Sequence, residues 1–282
     1  MVRAARSALW GASLGGIALL LFSLLVAPTP PWIALLVLPA YLGLLIAGVL
    51  FPQLEMYGDV VWRGTFGVAL TFDDGPDPES TRRVLKILAE HGHTATFFVV
   101  GRKVDLHPDV LREIHAGGHA IGLHGYLHDR LFALKPPGFV RTDIERTQRA
   151  VEEACGVRPT LFRPPVGLVS PRTAAGARSA GVTLVAWSVR AFDGVARTSP
   201  EQIVQRIGRG LKPGAIVLLH DAAERDDHLP RSADALPAIL DLIDKRGLTT
   251  LRVEAFIKAG TASPALAARP RSRRSASPRR VP

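Results

Sequence analysis

The chain has 282 residues, enough for one large domain or two small ones, and at 47% hydrophobic with a mean hydropathy of +0.18 it is more apolar than an ordinary soluble protein. A single cysteine, Cys155, excludes an internal disulfide and a cysteine-based zinc centre. The formal net charge is +10, but Arg269, Arg271, Arg273, Arg274, Arg279 and Arg280 crowd the last fourteen residues, so the basic character belongs to a tail and no nucleic-acid partner is expected.

A short basic N-terminus, residues 1–7 with Arg3 and Arg6, precedes two uncharged apolar runs, 8–27 and 32–50. Each is close to the ~20 residues that cross a bilayer as a helix. Pro28-Thr29-Pro30-Pro31 breaks the chain between them, and Trp10, Trp32 and Tyr41 include interface anchors. Residues 8–52 are therefore expected to form a transmembrane helical hairpin in a bacterial cell membrane, with membrane lipid as a partner. A signal peptide in the first run and a pair of buried core helices are the alternatives. Arg3 and Arg6 before the hairpin and Arg63 after it place both ends in the cytoplasm by the positive-inside rule.

From about residue 60 to 260, short apolar runs rich in β-branched residues alternate with amphipathic stretches. Strands are expected at 68–72, 94–100, 120–124, 160–163, 183–189, 215–220 and 248–253. The first helix opens at Glu79-Ser80, carries Val84, Leu85, Ile87 and Leu88 on its apolar side and ends at Gly92. Further helical patterns lie at 108–116, 138–155, 171–179, 200–211 and 233–246. The alternation predicts β/α units around a parallel sheet, and seven strands suit a distorted (β/α) barrel. Residues 261–282, rich in Arg, Ser and Pro, read as a disordered tail, with binding to anionic lipid as the alternative to a solvated end.

Polar residues mark the C-terminal ends of the expected strands: Asp73-Asp74, His124, Arg163 and His220-Asp221. In β/α barrels that rim is where chemistry is assembled. Asp73-Asp74-Gly75-Pro76 reads as a hairpin turn or as the floor of a site. His124 and His128, four apart, form a ligand pair or a strand end followed by a surface turn. With Asp73 or Asp74 they would make a two-histidine, one-carboxylate site with an open position, the pattern of a catalytic zinc. Pro164 and Pro165 stiffen the chain after Arg163, and Gly167 permits a tight turn.

Thr71-Phe72-Asp73-Asp74-Gly75, His124 with His128, Arg163-Pro164-Pro165-Val166-Gly167, Asp193, and Leu218-Leu219-His220 together resemble the five ordered motifs of the polysaccharide deacetylases, the carbohydrate esterases with a NodB homology domain. The resemblance spans about residues 65–255. It implies a distorted barrel, usually of seven strands, and a hydrolase removing N-acetyl groups from an amino-sugar glycan. Asp74, His124 and His128 are then expected to hold a divalent metal, zinc by preference with cobalt or nickel accepted by the same ligands. Asp73 resembles the general base, Arg163 the arginine that orients it, Asp193 the acid that holds that arginine, and His220 the general acid. Leu218 resembles a wall of the acetyl pocket, with Trp187, Pro164 and Pro165 as its other expected neighbours. Two positions depart from the family pattern. Gly125 replaces the usual Ser or Thr after the first histidine, and Gly194 stands where Trp often follows the aspartate. Three other readings remain: action on a lipid-linked amino sugar at the membrane face, with an acetyl or formyl group removed; a non-catalytic glycan-binding module; and a nucleic-acid binder suggested by the tail alone.

Overall fold

The structure, a computed structural model, describes residues 31–224 and 229–261, with side chains from 38 to 257, and four isolated positions, 11, 13, 15 and 16. The basic N-terminus and residues 262–282 of the expected tail lie outside the described residues.

Among the described residues eight strands form one sheet: β1 Val60–Val61, β2 Val68–Asp73, β3 Thr96–Val99, β4 Ala120–Leu123, β5 Leu161–Phe162, β6 Thr183–Val185, β7 Val189–Arg190 and β8 Ala215–His220. Their order is β1-β6-β5-β4-β3-β2-β8-β7, and every pairing is parallel. The strands β6 and β7 belong to one stretch of chain, so a single bent segment pairs with β5 on one side and β8 on the other. The sheet must curl to allow this, and the result is the expected distorted barrel.

The bend has a local cause. The carbonyl of Ala186 accepts from Arg163 (3.1 Å) and that of Trp187 from Gln53 (2.9 Å), so side chains take the acceptors that a ladder would need. The expected seventh strand at 248–253 does not form. It makes one parallel bridge, Val68 to Thr250, before Val253 opens the helix Val253–Thr261. On that side of β2 the positions from Thr71 upward already pair with β3, and of Val68, Ala69 and Leu70 below them only Val68 bridges to this stretch, at Thr250. The strand Val60–Val61, which pairs with β6, is instead the addition that the sequence did not signal.

Alternation along the strands separates two cores. Val68, Leu70, Phe72, Phe97, Val217 and Leu219 pack outward against the helices. Ala69, Phe98, Leu161, Val185 and Ile216 form the inner cluster, closed below by Val253 and Phe256. By the same period of two, Thr71, Asp73, Arg163, Leu218 and His220 share the inward face. The helices Ser80–Glu90, Pro108–Ala116, Pro137–Cys155, Pro171–Ser179, Pro200–Gly210 and Ser232–Lys245 fall where expected to within a residue or two. Four of them begin on proline, which costs nothing where the N–H has no helical partner. Ser199 and Gln202 close a capping box on one of these.

The second apolar run forms the helix Pro31–Leu50, which exposes Leu38, Leu42, Ile46 and Leu50. Its end docks on the barrel: Val169 N–H donates to the Val49 carbonyl (3.3 Å) and Tyr57 OH to the Leu45 carbonyl (2.8 Å). Ser13 of the first run lies against it, its hydroxyl 2.8 Å from that of Tyr41. Among the described residues no helix is long and apolar enough to cross a membrane, and most of the first run lies outside those residues.

Candidate active site

The expected rim exists. Asp73 ends β2, His124 and Arg163 directly follow β4 and β5, Asp193 follows β7, and His220 ends β8. The site is buried: Arg163 and Asp193 are 0% exposed, and Asp73, Asp74 and His124 no more than 4%.

After Asp73 the chain turns sharply, with Asp74 in the left-handed region at φ 78° and a cis bond at Gly75-Pro76. His128 (φ 54°), Val166 (φ 61°) and Phe192 (φ 60°) share that unfavourable backbone around the same opening. Such conformations persist only where surrounding contacts impose them, and they cluster at functional sites. The contacts here are specific. Asp221 accepts from the Gly75 N–H (3.2 Å) and the Thr81 hydroxyl (2.5 Å), and Lys103 Nζ donates to the carbonyls of Asp74 (2.8 Å) and Ala223 (2.7 Å). Asp221 thus clamps the turn that carries Asp74. Asp221→Ala is expected to leave two buried donors unpaired, costing about 1–3 kcal/mol each. A fall in melting temperature together with weaker metal uptake would be the measured result.

Asp74, His124 and His128 converge. Asp74 Oδ1 is 3.5 Å from His124 Nε2 and 3.3 Å from His128 Nε2, and one ligand atom from each lies within 4.8 Å of the others. Tetrahedral ligands ~2.1 Å from a zinc ion stand ~3.4 Å apart, so these two edges match. Asp74 Oδ1 is buried with no hydrogen-bond partner. That is a costly state, and a cation relieves it. His124 Nδ1–H donates to the Arg163 carbonyl (2.7 Å), which fixes the tautomer and leaves the Nε2 lone pair facing Asp74. Burial holds His124 well below the usual histidine range and His128 at about 4, so both imidazoles are neutral at neutral pH, as ligands must be. Burial also pushes the Asp74 carboxyl up to about 7. The donor set fits a divalent metal.

Arg163 lies inside the barrel under Asp73. Its NH1 donates to Asp73 Oδ1 (2.6 Å) and Thr71 Oγ1 (2.9 Å), NH2 donates to Ala186, and its guanidinium lies 4.1 Å from the Phe98 ring centroid. Asp73 Oδ2 remains on the site side, 3.8 Å from His124 Nε2. Burial raises the Asp73 carboxyl above its usual range while the adjacent Arg163 opposes the shift.

Asp193 requires a correction. It does not hold Arg163, whose bonds go to Thr71, Asp73 and Ala186. Its two oxygens accept from His220, Oδ2 from the backbone N–H (2.7 Å) and Oδ1 at Nδ1 (3.0 Å). The reason is placement: Asp193 follows β7, which pairs with β8 and brings it beside the end of that strand. Burial disfavours charge on His220, but Asp193, then Asp74 and Asp73, outweigh it and push the imidazole up to about 10.

A cavity of about 130 Å³ is lined by Asp73, Asp74, His124, His128 and His220, with Leu218 and Trp187 as expected walls. Pro164 and Pro165 do not line it. Val166 and Gly167, directly after them, do, because the prolines turn the chain and Pro165 packs toward Gly125. Gly125 (φ 80°) lacks a hydroxyl to brace the histidine loop. The loop is braced instead by Asp143, which accepts from the Tyr126 N–H (2.9 Å), and by the Gly101 N–H, which donates to the Gly125 carbonyl (3.0 Å). Thr71, Lys103 and Asp221 were missed as site residues. Thr71 was legible as the inward neighbour of Asp73, two positions back.

Comparison with known proteins agrees with this geometry. Residues 64–185 match the family model described as polysaccharide deacetylase, a stretch that includes Asp73, Asp74, His124, His128 and Arg163 but ends before Asp193 and His220. A chitooligosaccharide deacetylase of a Bradyrhizobium strain is 39% identical over 61% of this chain and 77% of its own length. A peptidoglycan-N-acetylglucosamine deacetylase of Bacillus cereus is 32% identical over 74% of this chain and 98% of its own. The solved peptidoglycan deacetylase PdaC of Bacillus subtilis superposes with a TM-score of 0.61 at 31% identity, covering 70% of this chain and 92% of that one. Sequence, barrel and site agree, and the chain belongs to the polysaccharide deacetylase family, hydrolases of non-peptide C–N amide bonds.

Proposed function

We propose that the protein removes N-acetyl groups from an amino-sugar glycan by metal-assisted amide hydrolysis. The observation that carries this reading is that Asp73, the Asp74-His124-His128 triad and His220 line one small cavity. Asp74, His124 and His128 would hold a divalent ion, zinc before cobalt or nickel, and when bound it would supply Lewis-acid polarisation of the amide carbonyl and a lowered pKa for water. Asp73 is the base, and Oδ2 takes the proton of the attacking water while Arg163 fixes Oδ1. Its raised pKa strengthens it as a proton acceptor. His220 is the acid. Its Nδ1 is tied to Asp193, so Nε2–H delivers the proton to the amine nitrogen as the C–N bond breaks. Acetate and a free amino sugar leave. Leu218 and Trp187 supply apolar walls suited to the acetyl methyl.

Acetate release from chitooligosaccharides and peptidoglycan fragments tests this reading, and release from neither would contradict it. Asp193→Asn tests the acid. Asp193 is the strongest charge raising the His220 imidazole above its usual range, so loss of that carboxylate lowers its pKa. The alkaline limb of the kcat profile then moves to lower pH, while the acid limb, set by the base, stays. An unmoved alkaline limb would remove His220 from the acid role.

A second reading has a specific support. The helix Pro31–Leu50 exposes apolar side chains, and Gln53, just beyond it, donates to the carbonyl of Trp187, a wall of the cavity. We propose that the N-terminal segment anchors the protein in the bacterial cell membrane and keeps the cavity near the lipid surface. A lipid-linked amino sugar, N-acetylated or N-formylated, would then be an accessible substrate. Membrane fractionation with a C-terminal topology reporter tests the anchor, and a fully soluble full-length protein would contradict it.

A further inference from the structure

Arg190 ends β7 at the lip of the site. It lines the cavity that holds the triad and also an adjoining one of about 400 Å³, which shares Asp74, Arg130, His220 and Glu224 with the first. The larger volume falls in the range of ~300–1,000 Å³ in which small ligands bind. The two arginines at this lip differ. Arg130 is satisfied by Glu224, at 2.7 and 3.1 Å. Arg190 is exposed and meets no carboxylate among the described residues; it is held instead by rings, 5.7 Å from the centroid of Trp187 and 4.7 Å from that of Phe192. Phe192 keeps a left-handed backbone, φ 60°, while its ring lies near both Arg190 and Arg206. Gly194 puts no side chain over the His220 ring, where even a Cβ would come within 3.7 Å of Nδ1.

A guanidinium is charged at every working pH, and its fork fits the paired oxygens of a carboxylate or phosphate. Stacking aims it without neutralising it. We propose that Arg190 selects for charge: it pairs with a carboxylate or phosphate carried by the glycan in the larger cavity, beside the sugar whose amide lies at the triad. The proposal rests on the deacetylase reading above. It makes this protein a deacetylase of anionic glycans rather than of neutral chitooligosaccharides.

The test uses the metal-loaded full chain and its Arg190→Gln and Arg190→Lys variants. Acetate release is followed from four substrates: a neutral N-acetylglucosamine oligomer, a disaccharide bearing an ether-linked lactyl carboxylate, the methyl ester of that disaccharide, and N-acetylglucosamine 1-phosphate. The wild type is expected to favour an anionic substrate over its neutral counterpart by about tenfold in kcat/KM. The acid-ester pair and the phosphate arm tell which anion is read. Arg190→Gln is expected to lose that preference through a raised KM for the anionic substrate, and Arg190→Lys to keep part of it. Equal handling of anionic and neutral substrates by the wild type, or a preference that survives Arg190→Gln, would overturn the proposal alone. Acetate release from none of the four would overturn the deacetylase reading, and the proposal with it.

Discussion

Asp73→Asn is expected to lower kcat by about 10³-fold, within the range contributed by a positioned general base, while the protein stays folded and keeps its metal. The separation follows from geometry. Asp73 Oδ1 is held by Arg163 and its Oδ2 faces the site, whereas the converging ligand atoms come from Asp74, His124 and His128. Asparagine preserves the shape and still accepts one hydrogen bond from Arg163, but it cannot take a proton from water. Metal content measured beside kcat distinguishes this loss from collapse of the site. Full activity in the variant would remove Asp73 from the base role, and loss of metal would recast it as a ligand.

His128→Ala is expected to act in the opposite order, on metal first and activity in consequence. Removal of one nitrogen from a three-residue donor set leaves Asp74 and His124, too few to hold a divalent ion tightly. Metal affinity is expected to fall by more than the roughly 10²-fold seen when a supporting residue is lost. Activity is then expected to fall by about 10³-fold, since Lewis-acid assistance supplies several kcal/mol of transition-state stabilisation. The apo site also has a physical cost. Buried Asp74 Oδ1 has no hydrogen-bond partner, so chelation of the wild type is expected to lower its melting temperature, and His128→Ala should no longer respond. A variant that binds metal as the wild type does would contradict the assignment of His128.

Much of the site was legible in the sequence because its parts sit at strand ends, where a buried run meets a polar residue. Asp73, His124, Arg163 and His220 each close such a run, and the parallel barrel carries them to one rim. The second apolar run is a helix, as its composition implied. What could not be read depends on pairing between distant segments. Asp193 was expected on Arg163, but the pairing of β7 with β8 brings it to His220 instead. The stretch 248–253 has strand-like composition, yet β3 takes Thr71 to Asp73 on that side of β2 and the stretch makes a single bridge, Thr250 to Val68. Pro164 and Pro165 were expected as pocket walls and instead turn the chain that presents Val166 and Gly167. Asp221 stands beside His220 at a strand end, but nothing local shows that it reaches Gly75 and Thr81, more than a hundred residues away. Arg190 carries no sequence signal, because its interest lies in meeting no carboxylate among the described residues.

The most direct measurement is acetate release from an N-acetylated glycan by the purified full chain, followed before chelation, after chelation and after zinc is restored. The expected result is activity that disappears on chelation and returns once about one zinc ion per chain has been added, as a single Asp74-His124-His128 site requires. Acetate release that is unchanged by chelation would contradict the account.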